Sequence, residues 1–299
     1  MGGMKSYSLE ELTESFVQLD EVRLHTVSLG PEDGELVIML HGFPEYWYSW
    51  RHQLPFLASR GYKAVAVDLR GFNLSSKPQG LSSYRSETVA RDISQLVKSL
   101  GRENAHIVGH DWGSAVAWIF AMRHSAQLKS LAILNLPHPL QMVEGFKHWE
   151  QIKKSWYIGF FQLPFLPEKF LKYDNHWVLR WLMKNDPVQP EVFSEEDIEK
   201  FIHAFEGQNA WRSTIAYYRA LRYEKLWSIE NRMEVIESPT LILWGKQDRF
   251  LDHNFAEPPR HWVPNHQLFF HEEASHWLQQ DQPQWVNEHL EKFLASIDA

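Results

Sequence analysis

The fold is decided by the five residues Gly109-His110-Asp111-Trp112-Gly113 (GHDWG). They directly follow the strand-like run His106–Val108 and begin a helical pattern over Trp112–Met122. A strand, a tight turn and a helix around one central residue is typical of a nucleophile elbow. Its glycines are needed because the backbone of such a turn is crowded. The central residue here is Asp111 and not serine, and no G-x-S-x-G stretch occurs in the chain.

Short apolar runs alternate with amphipathic ones on both sides of this turn. Strands are predicted, after a hairpin at Phe16–Leu19 and Val22–Val27, at Leu36–Leu40, Ala64–Val67, His106–Val108, Leu131–Leu134, Thr240–Trp244 and Leu268–Phe270. Helices are predicted at Ser86–Leu100, Trp112–Met122 and Gln282–Ser296. This alternation implies an α/β fold with a mostly parallel central sheet flanked by helices.

The segment 137–235 interrupts that alternation. It has helical patterns and no convincing strand, and prolines punctuate its first half. We therefore predict a helical lid (cap) subdomain at 137–235, inserted into an α/β core formed by 1–136 and 236–299. Many of the 14 tryptophans lie between Trp149 and Trp227, which predicts an aromatic-lined pocket, although a tryptophan-rich core is compatible with the same density.

Composition excludes several classes of function. A net charge of −8 without basic runs argues against a nucleic-acid partner. The absence of cysteine excludes disulfides and thiolate chemistry. The first twelve residues lack the pattern of a signal peptide, and no apolar stretch reaches the roughly 20 residues of a transmembrane anchor. We therefore expect a cytoplasmic protein.

An aspartate at the elbow predicts displacement at a saturated carbon. A carboxylate needs no base to become nucleophilic at neutral pH, and its attack on such a carbon forms an ester. Water can then hydrolyse that ester, which it could not do with the ether that a serine would form. Asp111 is therefore the predicted nucleophile. The alternative is structural, because aspartate also caps helices such as the one beginning at Trp112.

The acid and the histidine should follow the nucleophile along the chain. Asp248 lies just beyond the strand Thr240–Trp244, and His276 lies on the loop after Leu268–Phe270. Asp248 would orient His276 and stabilise its charged form. Asn135 follows Leu131–Leu134 at an alternative acid position, but it cannot carry the charge. The pair His271 and His276 lacks the helical spacing of a metal motif, so no metal or other cofactor is predicted.

The loop after Leu36–Leu40 is the predicted oxyanion hole. In this strand–turn–helix context one N–H comes from that loop and one from the residue after the nucleophile. Phe43 and Trp112 are the corresponding residues, and their N–H groups would hold the ester oxygen as it becomes negative. The Phe43–Pro44 bond is a candidate cis peptide.

Four stretches resemble the epoxide hydrolase branch of the α/β-hydrolase fold: HGFPEYWYSWRHQ at 41–53, DLRG at 68–71, GHDWG at 109–113 and ASHWLQQD at 274–281. The resemblance covers nearly the whole chain, and it implies conversion of an epoxide and water to a vicinal diol. The one departure is a missing second glycine two residues after Gly71.

The resemblance also implies two lid tyrosines that donate hydrogen bonds to the epoxide oxygen. One precedes a Phe-Gln pair by four residues, which gives Tyr157; the other directly precedes an arginine, which gives Tyr218. Lid packing is the structural alternative for both. The apolar run Trp156–Phe170 favours a lipophilic epoxide as substrate, with a membrane contact as a second use of that run.

Two other functions are open from the sequence. Haloalkane dehalogenases share the aspartate elbow and the following tryptophan, but they hold the halide with a further asparagine or tryptophan, and Phe43 stands at the asparagine position. Fluoroacetate dehalogenases have arginine where this chain has Trp112. A non-catalytic receptor or scaffold of the same fold is the third class, and a complete set of candidate catalytic residues argues against it.

Overall fold

A computed structural model describes residues 5–189, 191–224 and 230–298. Its eight strands are β1 (Thr13–Gln18), β2 (Arg23–Leu29), β3 (Leu36–Leu40), β4 (Lys63–Val67), β5 (Ala105–His110), β6 (Leu128–Leu134), β7 (Thr240–Gly245) and β8 (His266–His271). They form one sheet in the order β1-β2-β4-β3-β5-β6-β7-β8. The β1–β2 and β2–β4 pairs are antiparallel, and every later pair is parallel. The predicted mostly parallel α/β sheet is confirmed.

Helices cover the sheet and fill the chain between strands. They are α1 (Gln53–Ser59), α2 (Ser86–Ser99), α3 (Trp112–Arg123), α4 (Pro139–Gly145), α5 (Trp149–Lys154), α6 (Trp156–Phe160), α7 (Leu166–Asn185, with a kink at 173–176), α8 (Glu195–Ala204), α9 (Ala210–Ala220), α10 (Leu278–Asp281) and α11 (Pro283–Asp298). The apolar face predicted for α2, which includes Val89, Ile93 and Leu96, is fully buried. Burial of this apolar face in the core stabilises α2, because the helix propensity of its residues alone would make the helix only marginally stable.

Between β6 and β7 the described residues form helices α4 to α9 and no strand. This helical insertion is bound to the core by buried polar contacts. The indole N–H of Trp277 donates to Asp186 Oδ2 at 2.8 Å, and the amide of Val188 donates to Asp281 Oδ1 at 3.0 Å. Residues 190 and 225–229, with Trp227 among them, fall in the predicted lid range but lie outside the described residues.

The sheet brings distant parts of the chain to one edge. Strands β3, β5, β6, β7 and β8 are neighbours and run parallel, so their carboxyl ends meet at the same side. The residues that follow these ends are therefore adjacent in space although some, such as Phe43 and His276, are more than 230 positions apart. No helix in the described part of the chain is both long and apolar enough to cross a bilayer.

Candidate active site

Asp111 occupies the turn between β5 and α3. Its backbone, with φ of 48° and ψ of −120°, has a conformation that residues other than glycine rarely adopt. The turn is tight enough to require its glycines. A Cβ on Gly113 would lie 2.0 Å from the Leu40 carbonyl oxygen, and one on Gly109 would lie 2.6 Å from the Ser114 amide nitrogen. The Asp111 side chain makes no capping bond to α3, which argues against the helix-cap alternative. A strained residue held in this way is typical of a functional position.

The two carboxylate oxygens of Asp111 have different neighbours. Oδ1 accepts a hydrogen bond from the Phe43 amide at 2.7 Å, and Oδ2 lies 3.5 Å from His276 Nε2. The side chain is 10% exposed. The Trp112 amide is the first N–H of α3, a position where helices leave donors without an intrahelical partner. The Phe43–Pro44 peptide is cis, as predicted.

Asp248 and His276 form a buried pair next to Asp111. His276 Nδ1 lies 2.7 Å from Asp248 Oδ2. Burial opposes the charged imidazolium, but the carboxylates of Asp248 and Asp111 raise the pKa of His276 well above its ordinary value. Burial likewise opposes ionisation of Asp248, but His276 and the hydrogen bonds to its carboxylate lower its pKa. The free site therefore favours an imidazolium between two carboxylates.

Asn135, set aside in the sequence as unable to carry charge, has a different part in the site. Its amide group donates to Asp248 Oδ2 at 2.8 Å, and its Oδ1 accepts from the Gly245 amide at 3.1 Å. The Phe250 and Leu251 amides donate to Asp248 Oδ1 at 2.7 and 2.8 Å. Asp248 is thus held by three donors besides the histidine. Asn135 sits at φ of 46°, and asparagine tolerates this region better than most residues.

A second buried pair, Glu45 and His110, supports the loop that carries His276, and sequence reasoning missed Glu45. His110 Nδ1 lies 2.6 Å from Glu45 Oε2, and its Nε2 donates to the His276 carbonyl at 2.7 Å. Glu45 also accepts from the Gly42 amide at 3.0 Å. Burial would raise the pKa of Glu45, but His110 lowers it to about 2. The pair thus joins the loop after β3, the turn between β5 and α3, and the loop after β8.

The helical insertion brings Tyr157 of α6 and Tyr218 of α9 over Asp111. Their ring centroids are 5.8 Å apart. Burial and the nearby charge of Asp111 raise the pKa of both phenols well above the ordinary value, so both stay protonated. The neighbouring Tyr217 points elsewhere, because its hydroxyl donates to the Arg70 carbonyl at 2.8 Å.

Two apolar cavities meet at Asp111, Tyr157 and Tyr218, which line both of them. The aliphatic cavity is lined mainly by Ile119, Leu136, Met142, Ile158, Met233 and Leu251. The tryptophan-rich cavity is lined by Trp156, Trp177, Trp181, Trp211 and Trp277, with Phe43 and His276 at its inner end. The predicted aromatic-lined pocket is therefore present beside Asp111.

Possible metal ligands lie away from this site. Among residues 5–189, 191–224 and 230–298, one cluster, formed by Glu35, His106 and Asp298, has ligand atoms within 4.8 Å of one another. It sits at the opposite end of the sheet, where β3 and β5 begin. The Lys129 ammonium forms ion pairs with both carboxylates, at 2.9 Å to Glu35 and 2.5 Å to Asp298. The Lys129 ammonium thus supplies the positive charge that a metal ion would otherwise bring to these two carboxylates.

Comparisons with known proteins agree with this geometry. A family model for the alpha/beta hydrolase fold matches residues 35–283. The AB hydrolase superfamily protein YfhM of Bacillus subtilis is 37% identical over 281 residues, which cover 93% of this chain and 96% of that protein. Epoxide hydrolase 2 of Caenorhabditis elegans is 36% identical over 290 residues, which cover 96% of this chain and 81% of that protein.

The solved structures give the same result. The crystal structure of Bacillus megaterium epoxide hydrolase in complex with an inhibitor superposes with a TM-score of 0.86 at 33% identity. The match covers 94% of this chain and 100% of that chain, so the likeness includes both the sheet and the helical insertion.

Proposed function

Because the chain belongs to the epoxide hydrolases of the α/β-hydrolase family, we propose that it converts lipophilic epoxides and water to vicinal diols through a covalent ester on Asp111. The protein is a hydrolase. The observation that carries the proposed mechanism is the Asp111 carboxylate, with Oδ1 held by the Phe43 amide and Oδ2 left facing His276 and the cavity.

In the first step, Asp111 Oδ2 attacks one carbon of the epoxide. The carbon–oxygen bond of the ring breaks as the ester bond forms, and the epoxide oxygen gains negative charge. Tyr157 and Tyr218 donate hydrogen bonds to that oxygen from the side opposite Asp111. The oxygen takes a proton from one of these phenols to become a hydroxyl, and water then returns a proton to the phenol. Protonated phenols suit this role because they donate without carrying charge.

In the second step, water attacks the ester carbonyl of Asp111. His276 Nε2 takes the proton of that water, and Asp248 stabilises the resulting imidazolium. The carbonyl oxygen becomes negative and is stabilised by the Phe43 and Trp112 amides. Collapse of this intermediate releases the diol and restores the carboxylate. The chemistry uses only side chains, amides and water.

The helical insertion is the proposed lid, over residues 137–235. It supplies both tyrosines and most of the lining of the two cavities. An epoxide at the junction would place one substituent in each cavity, and the apolar linings favour hydrocarbon-like groups on both sides. Burial of such groups would hold the epoxide over Asp111 and exclude bulk water from the first step.

Halide release separates this function from that of a haloalkane dehalogenase. The Phe43 side chain packs edge-on against Phe161 and Tyr218, with centroids 5.6 and 5.3 Å away, and offers no N–H to a halide. We expect the purified protein to form diol from an aryl epoxide and to release negligible chloride or bromide from simple haloalkanes. Product chromatography and a halide assay on the same preparation would check this. Halide release that rivals diol formation would overturn the assignment.

Replacing the tyrosines of the proposed lid should slow mainly the first step, the formation of the ester. Tyr157→Phe or Tyr218→Phe should slow ester formation on the order of tenfold to a hundredfold, because each removes one donor to the developing alkoxide. The double variant should nearly stop it, while ester hydrolysis changes far less. Pre-steady-state measurement of ester formation would test this, with Tyr217→Phe as a control that keeps the wild-type rate. A double variant that forms ester at that rate would make both tyrosines packing residues.

A further inference from the structure

The lid exposes large aromatic side chains around the mouth of the tryptophan-rich cavity. Four aromatic residues line that cavity and remain exposed: Trp156 at 65%, Phe170 at 43%, Trp177 at 50% and Trp181 at 46%. Phe160 packs against both Trp156 and Phe170, with centroids 6.2 and 5.6 Å away, so the surface is continuous. Soluble proteins rarely leave a large contiguous apolar surface uncovered unless it binds something.

The surface extends beyond the cavity mouth on both sides. Leu166 lies one turn before Phe170 on α7 and is 52% exposed. Trp149 is 62% exposed, and the ammonium of Lys153, a residue of the cavity mouth, lies 5.4 Å from the centroid of its ring. We call the six residues Trp149, Trp156, Leu166, Phe170, Trp177 and Trp181 the lid apolar surface.

The segment that carries this surface is basic in an acidic protein. Residues 147–185 contain seven Lys or Arg and three Asp or Glu, a net charge of +4, whereas the whole chain has a net charge of −8. Lys169 and Lys172 are both exposed and lie on α7, on either side of Phe170. Three of the seven cations form ion pairs with acids outside the segment: Lys147 with Glu144, Arg180 with Glu199 and Lys184 with Glu195. The positive charge beside the exposed aromatic rings is therefore that of Lys153, Lys169 and Lys172.

We propose that the lid apolar surface docks this enzyme on an anionic phospholipid bilayer. Tryptophan rings bordered by lysines are the side chains favoured at the boundary between lipid and water. The mouth of the cavity lies within the same surface, so a lipophilic epoxide dissolved in the bilayer could reach Asp111 without crossing bulk water. This route rests on the proposed function, but docking itself does not require turnover.

A second copy of the chain fits this surface less well. A two-fold contact would bring the same patch of both copies together, and the lysines of the two patches, Lys153, Lys169 and Lys172 in each copy, would repel each other. Lysine is also depleted at the centres of protein interfaces. An anionic bilayer complements both the charge and the apolar rings.

Vesicle sedimentation tests the docking directly. We expect the wild type to sediment with vesicles of phosphatidylcholine and phosphatidylserine, and far less with phosphatidylcholine alone. The Trp149→Ser, Leu166→Ser double variant should bind at least tenfold more weakly, because it removes two inserted apolar side chains. Phe16→Ser is the matched control, since Phe16 is 45% exposed on β1 of the core. It should bind as the wild type does.

The charge contribution has its own pair of variants. Lys169→Gln, Lys172→Gln should weaken binding to the anionic vesicles by about fivefold for each lysine, whereas Lys98→Gln, Lys292→Gln on the core should not. The three double variants and Phe16→Ser should all form diol from a water-soluble epoxide at the wild-type rate, since none of the substituted residues lines either cavity. That activity also reports correct folding.

Three results would overturn the docking proposal. They are a wild type that binds neither kind of vesicle, binding that does not depend on phosphatidylserine, and a wild-type dimer in sedimentation velocity that the Trp149→Ser, Leu166→Ser variant abolishes. The last would show that a second copy covers the surface. Asp111→Ala should bind vesicles normally. A protein that binds vesicles but forms no diol would therefore refute the proposed function and leave docking intact.

Discussion

Replacing Asp111 with alanine is expected to abolish diol formation, with a loss of turnover on the order of 10⁴-fold or more. Without the carboxylate no ester can form, and His276 lacks the carbonyl toward which its water is aimed. The remaining amides and tyrosines could still bind the epoxide, but no nucleophile of the chain would lie beneath it. The measurement is the rate of diol formation from an aryl epoxide by wild type and variant at matched concentration.

Folding must be separated from chemistry in this experiment. Asp111 sits at φ of 48°, where alanine carries strain of roughly 1 kcal/mol or more. Asp111→Asn is the matched variant, because asparagine tolerates positive φ and keeps an oxygen for the Phe43 amide, yet its amide is a poor nucleophile. Both variants should unfold cooperatively on heating. Appreciable diol production by a folded Asp111→Ala protein would contradict the assigned nucleophile.

The periodicity of the sequence was sufficient to predict the sheet. Leu36–Leu40 is a strand over the predicted residues, because a fully buried strand of a parallel sheet is apolar throughout. Predicted strand ends elsewhere differ by up to three residues, as at β6, which begins at Leu128 and not Leu131. Polar residues at the ends of strands still pair in the ladder, and an apolar pattern does not reveal them. Helix α1 was missed because its seven residues span too few turns to show a period.

The candidate nucleophile, acid and histidine could be predicted because each directly follows a recognisable strand. Asn135 and Glu45 could not, since their importance lies in contacts with residues far along the chain. Asn135 contacts Asp248, 113 positions away, and Glu45 contacts His110, 65 positions away. One signal was available for such residues: asparagine directly after a buried strand often marks positive φ. Asn73, at φ of 38°, is a second asparagine with positive φ, and it stands where the resemblance to epoxide hydrolases implied a glycine.

The tryptophans show a further limit of sequence reasoning. Trp50, Trp118 and Trp244 are fully buried in the core, whereas Trp156 of the lid is 65% exposed. Composition alone treats all of them alike, because an indole suits a core, a cavity wall and a lipid boundary. Only the fold separates these uses. It assigns the exposed rings to the lid segment, where the basic residues also lie.

Two carboxylates act on His276 in the free enzyme, and the proposed chemistry removes one of them. Asp111 and Asp248 together raise the pKa of His276 well above its ordinary value, which favours the imidazolium. An imidazolium cannot accept a proton from water. Alkylation turns Asp111 into a neutral ester, so one source of the raised pKa disappears and the pKa of His276 falls. The histidine thus becomes a base only after the first step, and ester hydrolysis should quicken as pH rises through that lowered pKa.

His276→Ala is accordingly expected to stop the enzyme at the ester. The first step needs Asp111 and the lid tyrosines, so the variant should still be alkylated, while hydrolysis should slow on the order of 10³-fold or more because no base activates water. Intact-protein mass spectrometry should show the added mass of one epoxide, on the peptide that contains Asp111.

Asp248→Asn should also accumulate ester but less completely, since His276 would remain with a weaker partner. His271→Ala, at the end of β8, is the control and should turn over normally. The contrary outcome is a His276→Ala protein that carries no adduct under conditions in which the wild type forms diol. His276 would then be needed for ester formation itself, and the proposal that it acts only in the second step would be wrong.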